Sequence, residues 1–268
     1  MKRVKNWRSN RLDILLVLVA AALIVYGLSG LLIKPEIEPQ PIAEAEGLTA
    51  AIVDGLGEDY PNGTIIRVLR SMLESAGYKV TVYNADTVTV DFMGSILCTD
   101  YDVVIMRIHG GKLRDEAGRE LGMVAFFTNE PYEQGKYRDL QAQGLVGVGR
   151  PALNPEREVF VVTPIYVDSL QCSQSPEIVI VASCYSMDGT TMAEALLRHG
   201  VKAYIGWEGL VYANANDAAL EILVKKLVEG ASISEAVLST YNIDSGGSKL
   251  LYYPTQAGQL TLGDITSG

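Results

Sequence analysis

Apolar residues along this chain fall into three kinds of run. One is a single block at 14–33 (ILLVLVAAALIVYGLSGLLI), 20 residues without a charge. At about 1.5 Å per residue it matches the roughly 30 Å hydrocarbon core of a bilayer. A second kind is short and bounded by turn or polar residues: 48–53 (LTAAIV), 79–83, 102–108 (DVVIMRI), 177–183 (EIVIVAS) and 203–207. These predict strands, mostly buried on both faces. The third kind recurs at helical spacing. Residues 64–76 place Ile65, Leu69, Met72 and Ala76 on one face with Gly77 as a C-cap, and 88–97 and 216–229 are also expected to be helical. Thr191-x-x-Glu194 predicts a capping box opening a helix that ends at His199-Gly200; Ser232-x-x-Glu235 predicts another. Residues 250–262 predict a closing hairpin.

Strands alternating with helices imply an α/β domain with a mostly parallel sheet, and in such sheets ligands bind beyond the carboxyl ends of the strands. The alternation breaks at 110–176, a β-rich insertion with strand-like pieces at 123–128 and 159–167. Insertions of this length are more often functional than decorative. Residues 34–47 (KPEIEPQPIAEAEG) hold three prolines and four glutamates, the composition of a stiff, solvated stalk. The expected organisation is therefore a basic flank at 1–13, a membrane segment at 14–33, the stalk at 34–47 and an α/β domain at 48–268.

Charge supports that division. The chain carries 22 Lys and Arg against 32 Asp and Glu, a net of −10. Five of the basic residues but one acidic residue precede position 34, which leaves 17 against 31, a net of −14, for the rest. A basic flank keeps the N-terminus in the cytoplasm, so the acidic domain is expected outside, on a single-pass cell-membrane anchor in contact with the bilayer through 14–33. A cleaved signal peptide is the alternative, with Ala43-Glu44-Ala45 as a weak cleavage site. The acidic domain argues against nucleic acid as a partner, and the absence of CxxC and HExxH patterns argues against a zinc site. No metal or cofactor is expected. Oligomeric state is not legible.

Two strand ends carry reactive side chains. The 102–108 run leads into His109-Gly110-Gly111, and the 177–183 run leads into Cys184-Tyr185-Ser186. On neighbouring strands, imidazole and thiol would emerge together at the carboxyl edge. A thiol needs a base beside it to become a nucleophile, and the N–H groups of Gly110 and Cys184 could form an oxyanion hole. The implied chemistry is acyl transfer to cysteine followed by hydrolysis. Taken singly, such a cysteine is usually a small buried hydrophobe; the pairing is what carries the reading.

The pair VVIMRIHGG and IVIVASCYS resembles the signature of the clan CD cysteine peptidases, the group of caspases, legumains, gingipains and CHAT domains. The following GTTMAEALLRHGVKAYIGWEG is similar to the gingipain-like and CHAT pattern of a helix leading to a strand that ends near Gly-Trp. The resemblance implies a caspase-like three-layer αβα sandwich, with Cys184 as nucleophile, His109 as general base and acid, and Gly110 in the oxyanion hole. It also implies a polypeptide substrate read near the ends of the first, fourth and fifth strands. Asp54, Glu58, Asp59 and Glu208 are candidate carboxylates for an Arg or Lys side chain, with Trp207 as an apolar wall; acidic or Asn specificity stays open. The long insertion and Tyr185 depart from the pattern. A catalytically inactive binding or scaffold module, or a thiol hydrolase or transferase acting on a non-peptide acyl group, are the other readings.

Cys98 and Cys172 precede His109 and Cys184 by 11 and 12 residues. On adjacent parallel strands both would lie near the amino end of the sheet, where an oxidising compartment permits a disulfide; two free thiols are the alternative. His199 reads as a helix end, and Asn62-Gly63-Thr64 as either a glycosylation sequon or a turn.

Overall fold

A computed structural model describes residues 36–40, 42, 47–115 and 117–266. The expected flank and membrane segment, 1–33, lie outside the described residues. Among those described, no helix is long and apolar enough to cross a membrane.

The five strands expected from the short apolar runs, joined by one from the segment expected as a closing hairpin, form one six-stranded sheet. They are β1 (Thr49–Asp54), β2 (Lys79–Asn84), β3 (Val103–Arg107), β8 (Ile178–Ala182), β9 (Ala203–Trp207) and β10 (Leu250–Tyr253), in the order β10-β9-β8-β3-β1-β2. All neighbours are parallel except the final β10–β9 pair. Every residue of β3, β8 and β9 is buried, and successive residues serve opposite faces. Ala50, Ile52, Val103, Ile105, Ile178 and Ile180 join one core cluster; Ala51, Val53, Val104, Met106, Val179 and Val181 join the other. Each fully buried Val or Ile contributes about 1.5–3 kcal/mol relative to exposure, so both faces must be covered.

Helices do this. On the first face pack α1 (Gly63–Ser75), α6 (Ala213–Val228) and α7 (Ile233–Leu238). On the second pack α2 (Val90–Leu97), α4 (Pro164–Ser169) and α5 (Thr191–Arg198). Local signals set their starts: Asn62 caps α1, Thr89 caps α2, and Ser232 with Glu235 completes the expected capping box of α7. The Asn62 amide also donates to Asp217 at 2.9 Å, so the sequon serves as a cap and turn. His199 ends α5 and hydrogen-bonds the Val167 carbonyl at 2.8 Å.

The insertion builds a second, antiparallel sheet from β4 (Gly110–Arg114), β5 (Glu120–Pro131), β6 (Val146–Gly149) and β7 (Val159–Val162), ordered β4-β5-β7-β6, with the short α3 (Arg138–Ala142) between β5 and β6. Val124, Phe126, Phe160 and Val162 pack it into the second core cluster.

Four expectations are corrected. The strand expected over 159–167 stops at Val162, because Thr163 caps α4 and Pro164 occupies its first turn. The Thr191 capping box does not form. The helix cap is Thr190, whose hydroxyl meets Glu194, while Thr191 Oγ1 is buried without a partner. The closing hairpin over 250–262 is β10 alone; Pro254 cannot donate to a ladder, and Thr261 and Asp264 exchange capping hydrogen bonds at the start of α8 (Leu262–Thr266). Finally, the described part of 34–47 is not a free stalk. Ile37 forms a parallel bridge with Leu170, Ile42 donates to Thr99, and both pack against the core.

Cys98 ends α2, Cys172 follows α4, and the two are joined by a disulfide with a Cα separation of 4.8 Å. Both precede their strands, at the edge of the sheet opposite the one that carries Cys184.

Candidate active site

β3 and β8 are neighbours in parallel register, with Arg107 opposite Ala182. Both strands end there, and His109 and Cys184 each lie two residues beyond, at the same carboxyl edge of the sheet. Ile108 N–H still donates to the Ala182 carbonyl at 3.3 Å. Both residues line one cavity of about 700 Å³ at this carboxyl edge. Gly110 is required here, since a Cβ on it would run into Ser183 Oγ and lie 2.8 Å from the Cys184 carbonyl oxygen.

The imidazole is oriented by a carboxylate. His109 Nε2 lies 2.8 Å from Asp59 Oδ2, with both side chains largely buried. A neutral imidazole that donates from Nε2 keeps its lone pair on Nδ1, the nitrogen left to act as base. Burial lowers the His109 pKa from its ordinary value; Asp59 opposes this, and Arg157 and Arg107 add to it. The neutral form needed for a base is therefore favoured at pH 7. Tyr60 and Phe127 flank the ring at centroid distances of 5.8 and 6.1 Å.

Beneath it lies a buried ion network. The Arg107 side chain is 0% exposed. It grips Asp217 through Nε at 2.6 Å and Nη2 at 2.9 Å, Asp54 through Nη1 at 2.7 Å, and the Tyr60 carbonyl at 2.8 Å. Leu56 N–H returns to the Arg107 carbonyl at 3.0 Å. The loop that carries Asp59 is thus tied at both ends to the strand that carries His109.

The thiol is held differently. Cys184 Sγ donates to the Val211 carbonyl at 3.4 Å and accepts the Val211 N–H at 3.5 Å. Burial raises its pKa, partly offset by backbone N–H groups. Ser186 Oγ donates to the carbonyls of Val181 and Ser183 and accepts the Trp207 N–H at 2.8 Å, which locks the turn after β8. Tyr185 takes a left-handed φ of 59° within it. Among the described residues no hydrogen bond joins His109 to Cys184; catalytic contacts are often loose before substrate binds. Phe127 N–H donates to the His109 carbonyl, so the next pair, Gly110–Phe126, is of the non-hydrogen-bonded kind. By that alternation the Gly110 N–H points off the free edge of β4.

The expected recognition residues are placed elsewhere. Asp54 is spent on Arg107, Glu58 pairs with Arg157 at 2.7 Å, and Asp59 serves His109. Glu208 is exposed and outside the cavity lining. Trp207 is not a wall of the cavity: it is buried in the core, because the residues of β9 that share its parity face the α6 side, and its Nε1 donates to Asn216 at 2.8 Å. Asn216 in turn donates to the Ala182 carbonyl at 3.1 Å and does line the cavity. Sequence reasoning missed Arg107, Asp217, Ser186 and Asn216 as positioning groups. A charge inside DVVIMRI was the one visible signal. Among the described residues no group of three or more His, Cys, Asp or Glu is placed to hold a metal ion. No protein-family model matches this chain, and no curated protein matches it.

Proposed function

We propose that this chain is a membrane-anchored, extracytoplasmic cysteine endopeptidase of the caspase-like fold. The observation that carries the reading is the imidazole of His109, held by Asp59 and lining the cavity that also holds Cys184. Cys184 is the nucleophile, His109 the general base and acid, and Asp59 the group that fixes the imidazole tautomer. His109 Nδ1 takes the thiol proton as Sγ attacks the scissile carbonyl. The oxyanion forms against the Gly110 N–H, and the C–N bond breaks as His109 returns the proton to the leaving amine. Water, deprotonated by the same imidazole, then hydrolyses the thioester. Side chains and backbone carry every step without a cofactor. The orientation rests on the charge asymmetry about 14–33, and the Cys98–Cys172 disulfide supports an oxidising compartment.

The full chain in detergent is expected to cleave amide-linked peptide reporters and to lose that activity in both Cys184→Ala and His109→Ala. Unchanged turnover in Cys184→Ala refutes the nucleophile assignment. One observation favours a second reading, a catalytically inactive binding module. The thiol is buried, its pKa is raised, and its hydrogen bonds are made to Val211. That reading predicts no labelling of Cys184 by electrophilic peptides.

A further inference from the structure

We infer that the residue whose carbonyl Cys184 attacks has an apolar or aromatic side chain, an inference that rests on the peptidase reading above. Among the described residues lining the cavity there is no carboxylate. Its basic side chains are His109, held by Asp59, and Arg150, which is paired with Glu158; the thiol of Cys184 and the phenols of Tyr60, Tyr185 and Tyr212 complete its titratable groups. A lysine or arginine entering this site would shed water without meeting an acid, and an aspartate would compete with Glu158 for one half-exposed guanidinium.

The walls divide by chemistry. The imidazole must reach the leaving nitrogen, so the side lined by Leu56, Tyr60 and Phe127 receives the residue after the scissile bond. The acyl residue lies on the thiol side. There the segment carrying Leu210 and Tyr212 is clipped to Cys184 by the two Val211 hydrogen bonds. Leu210 and Tyr212 are 53% and 59% exposed, large apolar surfaces left uncovered beside the nucleophile. A substrate side chain laid across them removes that surface from water.

The test compares reporter peptides identical except for Leu, Phe, Arg, Lys, Asp or Asn before an amide-linked fluorophore, with the full chain in detergent. Leu and Phe are expected to exceed the charged residues by on the order of 100-fold in kcat/KM. Leu210→Asp, which sets a carboxylate at the mouth, is expected to narrow the gap between Leu and Arg at least about tenfold. Arg, Lys or Asp leading in the parent chain overturns the inference while leaving the peptidase reading intact. If no reporter is turned over, the peptidase reading fails, and calorimetric binding of the same peptides as uncleavable amides to Cys184→Ala decides the pocket's preference separately. Tighter binding of Leu and Phe peptides supports the inference. Equal affinities, a charged preference, or no binding overturns it.

Discussion

At the end of β3 the chain is fixed by charge; at the end of β8 it is fixed by neutral hydrogen bonds. Asp59 holds the imidazole, and Arg107 with Asp217 and Asp54 fixes the strand end and loop beneath it with buried ions. Ser186, Asn216 and Val211 instead hold the thiol turn through neutral hydrogen bonds, its one ion pair among the described residues, Asp188 with Lys112, lying partly exposed. The difference matches what each group must do. A base needs one tautomer and a carboxylate to steady its positive form. A thiol kept neutral until substrate arrives needs a rigid turn and little nearby charge. Burial accordingly pushes the His109 pKa down and the Cys184 pKa up, so at rest both groups are uncharged.

The sharpest way to break this contrast is Cys184→Ala, which should abolish turnover while leaving the unfolding midpoint nearly unchanged, read by reporter hydrolysis and urea denaturation. Next comes Asp59→Asn. It keeps the shape but removes the carboxylate, so turnover should fall on the order of 10²–10⁴-fold. Asp59 opposes the lowering of the His109 pKa, so the acidic limb of the pH–rate profile should move to still lower pH in this variant. An unmoved limb would contradict the orienting role. On stability, Arg107→Met leaves Asp217 and Asp54 buried without their cation and should cost about 3–5 kcal/mol. Ser186→Ala, on the neutral side, strands the buried Trp207 N–H, while the Val181 and Ser183 carbonyls keep backbone donors, and should cost about 1–3 kcal/mol. Smallest is a kinetic shift: without substrate, carboxymethylation of Cys184 should inflect at a pH above that of an ordinary thiol, because burial disfavours the thiolate.

The strand ends were legible because β3, β8 and β9 are apolar on both faces, and such runs are short and sharply bounded. His109 and Cys184 could be placed at one edge for the same reason, as could the two cysteines at the other. The recognition loop was not legible. An acid in DGLGED has no local mark of which cation it will meet, and Asp59, Glu58 and Asp54 each found a partner at least 50 positions away. The Arg107 partner Asp217 lies 110 residues on, in α6, the helix packed on the face of β3 that Arg107 shares with Val103 and Ile105. Trp207 could have been placed by parity: it shares a face with Ala203 and Ile205, whose neighbours are α6 residues, not the cavity. The hairpin expected at the end failed where Thr261-x-x-Asp264 outweighed an alternating pattern already broken by Pro254.

The claim on which the account turns is that His109 activates Cys184. Intact-mass measurement after incubation of the full chain with a leucyl acyloxymethyl ketone peptide tests it directly. The account predicts a single adduct, mapped to Cys184, whose rate of formation falls at least about 100-fold in His109→Ala. No adduct at Cys184, or one that forms as fast without the imidazole, would contradict it.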